Sequence, residues 1–279
     1  MTDSAASLPP SAIESLSITV VPMTIAIGDD VHNDGKLEPA EVLRRAAHLR
    51  VTTSAPSPGA YLETLEHLAG HPVLVATVAR GMSASYQSAI TAAGYARSGD
   101  VAVVDTQAAA GAQGLVVIAA ARAARAGSTL QEAIAAARRA AARVRLLAVV
   151  EQLDFLAGSG RVPGIAVRAG RSIGLCAMFE LSGGHVRPRR PVRSVDAAVA
   201  RIVTACRADA LPTARLRAVV LHAEAPRAAH LLFTHLHELA ADADAYTASF
   251  SSVLVAHTGP GVAGLAWWWE PPPRSGHER

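Results

Sequence analysis

The sequence of 279 residues contains few of the residue types that would tie it to disulfide, metal or nucleic-acid chemistry. Its two cysteines, Cys176 and Cys206, are isolated in apolar surroundings, which excludes a disulfide framework or a zinc-ligand spacing and predicts a reducing cytoplasm. Lys36 is the single lysine, and aromatic residues make up 4% of the chain. The net charge of +3 is small and scattered, so it does not indicate a nucleic-acid partner.

Targeting segments, long apolar runs and catalytic signatures are also absent. The start of the chain is polar and does not resemble a signal peptide, and no uncharged apolar run reaches the length of a membrane span. We find no Walker-type phosphate loop, no kinase signature and no nucleophile elbow. The histidines of one predicted helix, His230, His235 and His237, lack the spacing of a zinc site. The sequence therefore predicts no metal, no cofactor and no nucleotide.

Alternating apolar strands and helical segments predict an α/β first domain with a mainly parallel sheet, over residues 1–145. A change to glycine-rich turns and short strands predicts an α+β second domain with a mixed or antiparallel sheet over 146–270, and a disordered tail over 271–279. The predicted strands are 18–27, 72–78, 101–105, 146–150, 216–222, 250–256 and 262–268. The predicted helices are 39–49, 59–69, 83–96, 108–125, a long helix ending near 143, 153–157, 194–207 and 226–239.

The most informative segment is LVAHTGPGVAGLAW, at residues 254–267. It predicts a short apolar strand, a tight turn over 257–261 and a second strand. Glycine permits backbone angles that other residues resist and proline fixes φ, so the turn can aim His257, Thr258 and nearby N–H groups at one point. The segment is either an anion site at the mouth of a pocket or an ordinary hairpin turn.

Six short motifs occur along nearly the whole chain in one order, and together they carry a resemblance. They are Thr2-Asp3-Ser4 with Leu8-Pro9, Thr53-Ser54-Ala55-Pro56-Ser57-Pro58, Met82-Ser83-Ala84-Ser85-Tyr86-Gln87-Ser88-Ala89, Val104-Asp105-Thr106, Leu153-Asp154-Phe155-Leu156 with Gly160-Arg161-Val162, and His257-Thr258-Gly259-Pro260-Gly261. In this order they resemble the DegV family of bacterial fatty-acid-binding proteins.

The resemblance implies two domains that enclose a tunnel for one long-chain fatty acid. It implies that the lipid carboxylate lies near the surface, where a separate ATP-dependent kinase subunit phosphorylates it for phospholipid synthesis. This chain would then be a non-catalytic carrier. The residues that the resemblance assigns to the ligand are Thr53, Ser54, Ser83, Ala84, Ser85, His257, Thr258 and Gly259. Arg193 falls at a position that the resemblance links to the partner.

The sequence also departs from the family pattern. A complete strand usually precedes the T-D-S element, so the first strand is expected to be missing, through a late start codon, a truncated chain or a rearranged N-terminus. Ala79-Arg80 replaces a pair of serines, Ala84 a glycine, Ser85 a threonine and Cys176 a lysine. These changes leave open a diverged carrier or sensor of another lipid. An enzyme that acts on an acyl ester or carboxylate is the other alternative.

Each candidate residue also has a purely structural interpretation. Thr53, Ser54 and Ser83 can be helix caps, and His257 can be a hydrogen-bonding residue of the turn. Asp105 is expected to cap a turn rather than to catalyse. The arginines around Arg193 form either a solvated basic face or a docking surface; they are Arg187, Arg189, Arg190 and Arg193.

Overall fold

The structure of the chain is a computed structural model, and it describes residues 1–97, 99–150 and 175–272. The strands in these ranges are β1 Thr2–Asp3, β2 Val20–Val21, β3 Thr24–Ile27, β4 Asp30–Asn33, β5 Val51–Ser54, β6 Val73–Thr77, β7 Val101–Asp105, β8 Arg145–Val150, β9 Cys176–Ser182, β10 His185–Val192, β11 Arg215–Ala223, β12 Asp244–Ser249 and β13 Val262–Glu270. The α-helices are α1 Pro10–Ser15, α2 Pro39–Ala46, α3 Pro58–His67, α4 Ser85–Tyr95, α5 Ala110–Arg125, α6 Leu130–Ala141, α7 Val195–Ala208, α8 Pro226–Leu239 and α9 Ser252–Thr258.

These strands form three sheets, which confirms the predicted fold class. Sheet A has the order β2-β1-β6-β7 and is entirely parallel. Sheet B has the order β4-β3-β5 and is antiparallel. Sheet C has the order β10-β9-β8-β13-β11-β12, in which only the β11–β12 pair is parallel.

The N-terminal residues occupy an internal position of sheet A, where the first strand was expected to be missing. β1 consists of two residues, which pair with β2 on one side and with β6 on the other. The Met1 ammonium donates a hydrogen bond to the Leu74 carbonyl oxygen at 2.8 Å. Both side chains of β1 are fully buried, and Gln113 Nε2 donates to Asp3 Oδ1 at 3.0 Å. Strand β1 therefore occupies this internal position with two residues, and the expectation that a complete first strand is missing stays a prediction.

Residues 18–27 do not form the single strand that we predicted. Pro22 lacks an N–H and cannot continue a strand ladder, so the chain divides there. The part before it, β2, joins sheet A, and the part after it, β3, joins sheet B. The structure also has a strand that we did not predict, because Val51–Ser54, at the start of the Thr53–Pro58 motif, forms β5, in which Thr53 pairs with Ile25.

The segment before the HTGPG turn is a helix, α9, and not the predicted strand over 250–256. A short apolar run does not distinguish a buried strand from a buried helix turn, since both bury continuous apolar residues. Strand β12, on the outer side of β11, was not predicted. The predicted helix 153–157 and the motif at 160–162 lie outside the described residues.

Helix α5 lies between sheets A and C and holds the two halves of the chain together. It contacts β6 on one side and β11 and β13 on the other. Small residues make this close approach possible. A Cβ atom on Gly111 would lie 2.1 Å from Val219 Cγ1, and one on Gly114 would lie 2.7 Å from the Ala6 carbonyl oxygen. Glycine at these two positions therefore decides how closely the helix packs.

Candidate functional site

A cavity of about 330 Å³ lies between the two halves of the chain. Its wall is mainly apolar, and a few polar side chains stand on it. The lining residues are Ala5, Met23, Thr53, Ala55, Met82, Ser83, Ala84, Ala109, Ala110, Leu146, Phe179, Leu181, Val186, Phe250, Val253, Leu254, His257 and Thr258. An apolar cavity of this size with few convergent polar groups is typical of a small-molecule site.

The polar and apolar parts of the cavity differ in their exposure. Thr53, Ser83 and His257 are partly exposed. In contrast, Leu146, Leu181 and Phe250 are almost completely buried, as are most of the other apolar lining residues. The cavity therefore has a polar end near solvent and an apolar end inside the protein.

Thr53 and His257 meet at the polar end, although they lie 204 positions apart in the sequence. The Thr53 hydroxyl and the His257 Nε2 atom are 2.7 Å apart. Thr53 stands on β5, where residues alternate between the two faces of the sheet, so its neighbour Ser54 points away and is exposed. The structure thus places Thr53 at the cavity and Ser54 outside it.

The proton in this hydrogen bond decides what Thr53 offers to a ligand. A neutral imidazole either donates or accepts at Nε2, according to its tautomer, and a threonine hydroxyl has one proton. If His257 donates to the Thr53 oxygen, the hydroxyl proton is free to point into the cavity. An anionic ligand favours that arrangement, because it needs a donor.

The second polar group comes from the start of helix α4. Ser83 and Ala84 line the cavity, and Ala84 stands at the N-cap position, where it makes no side-chain hydrogen bond to the first turn. Alanine has no side-chain acceptor for the N–H groups of the first turn, and among these groups the Ser85 N–H donates to Ser83 Oγ instead. The positive end of α4 therefore lies beside the cavity.

Ser85 is completely buried and does not line the cavity. Its Oγ atom lies 3.0 Å from Ser83 Oγ, and its backbone N–H donates to Ser83 Oγ at 3.2 Å. Ser85 therefore orients Ser83 from behind. The phenol of Tyr61 lies next to Ser85, and burial, followed by the charge of Asp3, raises its pKa. This phenol therefore stays protonated at neutral pH.

The residues of the HTGPG turn have two different environments: some line the cavity, and others form backbone hydrogen bonds. His257 and Thr258, at the end of α9, line the cavity. Gly259 and Gly261 have φ angles of 74° and 77°, which only glycine adopts readily. Their N–H groups donate to the carbonyl oxygens of Val255 and Ala223, each at 2.9 Å. The prediction that nearby N–H groups of the turn aim at a ligand is wrong for these two glycines.

Sequence reasoning did not identify the apolar wall. Met23 from the segment before β3, Phe179 and Leu181 from β9, and Phe250 and Val253 around the start of α9 all line the cavity. Each is an ordinary apolar residue in its own segment. Only their convergence in the fold distinguishes them from other core residues, so no local signal could have found them.

Arg193 lies outside the cavity, in the exposed segment that follows β10. Arg187 and Arg190 are also exposed, while Arg189 forms an ion pair with Glu180. Asp105 accepts hydrogen bonds from the backbone N–H groups of Gln107 at 2.9 Å and of Arg80 at 3.3 Å, as expected for a capping carboxylate.

The described residues contain neither a metal-ligand cluster nor a membrane-spanning helix. Among residues 1–97, 99–150 and 175–272, no group of three or more histidine, cysteine, aspartate or glutamate side chains is arranged to hold a metal ion. Within the same ranges, every helix is too short or too polar to span a bilayer.

The comparisons with known proteins agree with the fold and the motifs. A family model described as an uncharacterised protein of the DegV family matches residues 1–270. A DegV domain-containing protein of Streptomyces coelicolor is 33% identical over 273 residues, which cover 95% of this chain and 96% of that protein.

Two solved structures share the fold. A DegV family protein from Thermus thermophilus, described as binding fatty acid, is 27% identical with a TM-score of 0.89, and the match covers 96% of this chain and 98% of that one. DegV of Bacillus subtilis, described as a fatty acid binding protein, is 23% identical with a TM-score of 0.86, over 96% and 98% of the two chains. The whole-chain family match and the Streptomyces coelicolor relative show that this chain belongs to the DegV family.

Proposed function

We propose that this chain binds one long-chain fatty acid in the cavity, with the acyl chain in the apolar interior and the carboxylate at the partly exposed polar end. The single observation that carries the proposal is the position of the Thr53–His257 pair at the open end of a mainly apolar cavity. The Thermus thermophilus relative, described as binding fatty acid, supports the same ligand class.

The acyl chain supplies most of the affinity in this proposal. Burial of each methylene contributes about 0.8 kcal/mol, so a chain of about sixteen carbons gains far more than the headgroup can. The seam between the two halves offers alanine, leucine, valine and phenylalanine side chains to such a chain. These side chains give no hydrogen bonds, so the wall favours a saturated or unsaturated hydrocarbon over a polar ligand.

The headgroup contacts fix the orientation of the lipid. A carboxylate that loses water needs charge-assisted hydrogen bonds, because an isolated buried anion is strongly disfavoured. In the proposed complex, Thr53 and Ser83 donate their hydroxyl protons, and His257 holds the Thr53 hydroxyl in the donating orientation. The positive end of α4 adds a favourable field. Thr258 and Ala84 contribute to the wall of the same end.

The exposed position of this end also supports the finer proposal of presentation to a kinase. A carboxylate near the surface can accept a phosphoryl group from a separate ATP-binding subunit, whereas the buried chain end cannot. In this proposal, the exposed arginines around Arg193 contact that subunit. The sequence contains no Walker-type phosphate loop, and the resemblance of the motifs is the reason to expect a separate kinase partner.

Binding is tested with the purified protein and a panel of single variants. Native mass spectrometry identifies a co-purified fatty acid, and displacement of a fluorescent fatty acid gives the dissociation constant. We expect Thr53→Val and Ser83→Ala each to weaken binding by about 1–3 kcal/mol, which is roughly 5- to 150-fold. Ser54→Ala is the matched control, because Ser54 is the exposed neighbour of Thr53 on the same strand.

The controls separate the possible outcomes. Unchanged affinity in both Thr53→Val and Ser83→Ala removes these residues from the site, and loss of affinity in Ser54→Ala shows an unspecific effect of strand β5. Absence of any bound or binding fatty acid overturns the proposal. Turnover of acyl esters by the isolated protein, abolished in His257→Gln, supports an enzyme instead.

A further inference from the structure

A second concave site lies between the α5–α6 helix pair and the end of sheet C, and we call it the arginine groove. It has a volume of about 1,340 Å³, and five arginines from α5, α6, the turn after α6 and β11 line it. They are Arg122, Arg139, Arg143, Arg215 and Arg217. The groove shares no lining residue with the fatty-acid cavity, so it is a separate site.

The groove already binds carboxylates that belong to this chain. Arg217 Nε donates to Glu270 Oε2 at 2.6 Å, and Arg122 contacts Asp244 Oδ2 at 2.5 Å. Arg217 also pairs with Asp244. Burial raises the pKa of the Asp244 carboxyl, but Arg122 and Arg217 outweigh this effect and hold the pKa below its usual range. The positive side chains of the groove therefore stabilise an ionised carboxylate.

Three of the five arginines have no such carboxylate. Arg139, Arg143 and Arg215 are exposed, and within the described part of the chain none of them forms an ion pair. Arg215 Nε donates to the Asp242 carbonyl oxygen at 3.3 Å. Five guanidinium groups thus face two carboxylates, and the groove carries an excess of three positive charges. A ligand with several carboxylates complements this excess.

The shape of the groove distinguishes between kinds of anionic partner. Its lining includes alanines at positions 119 and 123 of α5, Ala126 directly after this helix, and the almost fully buried Trp268. Small side chains allow a peptide backbone to approach closely, and a concave floor fits a chain segment better than a flat bilayer. The small net charge of the whole chain, +3, does not favour a nucleic acid.

We propose that the arginine groove binds an acidic segment of a protein partner, whose glutamate or aspartate carboxylates pair with Arg139, Arg143 and Arg215. Arginine suits this role because its planar guanidinium binds a carboxylate through two parallel hydrogen bonds. Inside the groove, Arg217 already pairs with Glu270, since its Nε and Nη2 atoms both lie 2.6 Å from Glu270 Oε2. This interaction does not depend on fatty-acid binding.

The probe is fluorescein-labelled poly-L-glutamate, with poly-L-glutamine of the same length as the neutral control, measured by fluorescence anisotropy at low and moderate salt. The variant replaces Arg139, Arg143 and Arg215 by glutamine. Its matched control replaces Arg50, Arg97 and Arg207 by glutamine, which are exposed arginines outside the groove and outside the cluster around Arg193, so the net charge changes by the same amount elsewhere on the surface. We expect the groove variant to lose about ten-fold in affinity and the control less than about two-fold.

Several results would overturn the proposal. Equal losses in the two triple variants mean that poly-L-glutamate senses only the overall charge, and equal binding of poly-L-glutamine means that the carboxylates are not recognised. Binding to phosphatidylglycerol vesicles that depends on the groove arginines, without binding of poly-L-glutamate, assigns the groove to a membrane surface. If the triple variant unfolds at a markedly lower temperature than the wild type, the single variant Arg143→Gln replaces it. We then expect its affinity for poly-L-glutamate to fall about two- to three-fold.

Discussion

Helix α9 carries His257 and Thr258 to the polar end of the cavity, and its other end is held by a carboxylate from the first half of the chain. Asp34 Oδ1 accepts a hydrogen bond from the Val253 N–H, in the first turn of the helix, at 3.2 Å. Ser251 stands at the N-cap position but makes no side-chain cap hydrogen bond. Asp34 therefore takes over the N-cap function across 219 positions of sequence.

Removal of this carboxylate in Asp34→Ala should destabilise the protein and weaken ligand binding together. Loss of an N-cap acceptor lowers the free energy of unfolding by about 0.5–2 kcal/mol. For a protein of this size, this corresponds to a fall in Tm of about 1–4 °C, measured by calorimetry. Because α9 supplies four lining residues of the cavity, we expect fatty-acid affinity to fall in the same variant.

The conservative variant Asp34→Asn separates the hydrogen bond from the charge. Its amide oxygen can still accept from Val253, so the cap is kept. Burial raises the pKa of Asp34 in the folded protein above its unfolded value of about 3.9. The folded state therefore binds this proton more tightly, and the wild type loses stability as the pH rises through the raised pKa. Asparagine does not ionise, so we expect Asp34→Asn to gain in stability relative to wild type above about pH 4.

Two results would refute this reasoning. The first is that Asp34→Ala keeps the Tm and the fatty-acid affinity of the wild type, which would show that the hydrogen bond to the Val253 N–H contributes to neither. The other is a stability difference between Asp34→Asn and wild type that stays constant from about pH 4 to pH 8. The exposed Asp29, in the turn before β4, serves as the control, since Asp29→Ala should change neither quantity.

Two further predictions concern the packing and the charges of the core. Gly111→Ala places a Cβ against β11, so it should lower the free energy of unfolding by about 1–3 kcal/mol. Gly94→Ala lies in open space on α4 and should raise the free energy of unfolding by up to about 1 kcal/mol. Urea unfolding measures both values, and equal effects of the two variants would contradict the packing argument. Arg145 bridges Glu180 and Asp209 at 2.7 and 2.8 Å, so Arg145→Met should lower the free energy of unfolding by about 2–4 kcal/mol at pH 7. Burial raises the pKa of Glu180, but its arginine partners outweigh this effect and hold the pKa below its usual range. The stability lost in Arg145→Met should therefore become smaller as the pH falls below about 4.3, where Glu180 becomes protonated. A loss of stability that does not change with pH would contradict the role of this ion pair.

Much of the fold was predictable because long, regular segments carry their own signal. Helix α8 has the predicted bounds, and strand β7 does as well. In both, enough apolar residues recur at one period to fix the type of element. Short segments carry less signal of their own: β1 has two residues and α9, which was predicted as a strand, has seven, and both are set by their neighbours in space.

The candidate site was predictable in its residues but not in their roles. The motifs identified Thr53, Ser83 and His257 as candidate residues, and the structure places all three in the lining of one cavity. The same motifs named Ser54, Ser85 and Gly259, which the structure places outside the cavity or behind it. Neighbouring residues on a strand point to opposite faces, and the sequence did not reveal that 51–54 is a strand.

The sequence by itself determined the family, the main parallel and mixed sheets, and the polar residue types available for a headgroup. These features depend on residues that are close together in the sequence, such as the period of apolar residues, the positions of glycine and proline, and the order of the motifs. Only the tertiary structure decided which hydroxyl faces the cavity and which imidazole forms a hydrogen bond with that hydroxyl. It also decided which carboxylate caps the helix that carries the imidazole. Those contacts join residues more than two hundred positions apart, and a hydrogen bond depends on distance in space rather than on order along the chain.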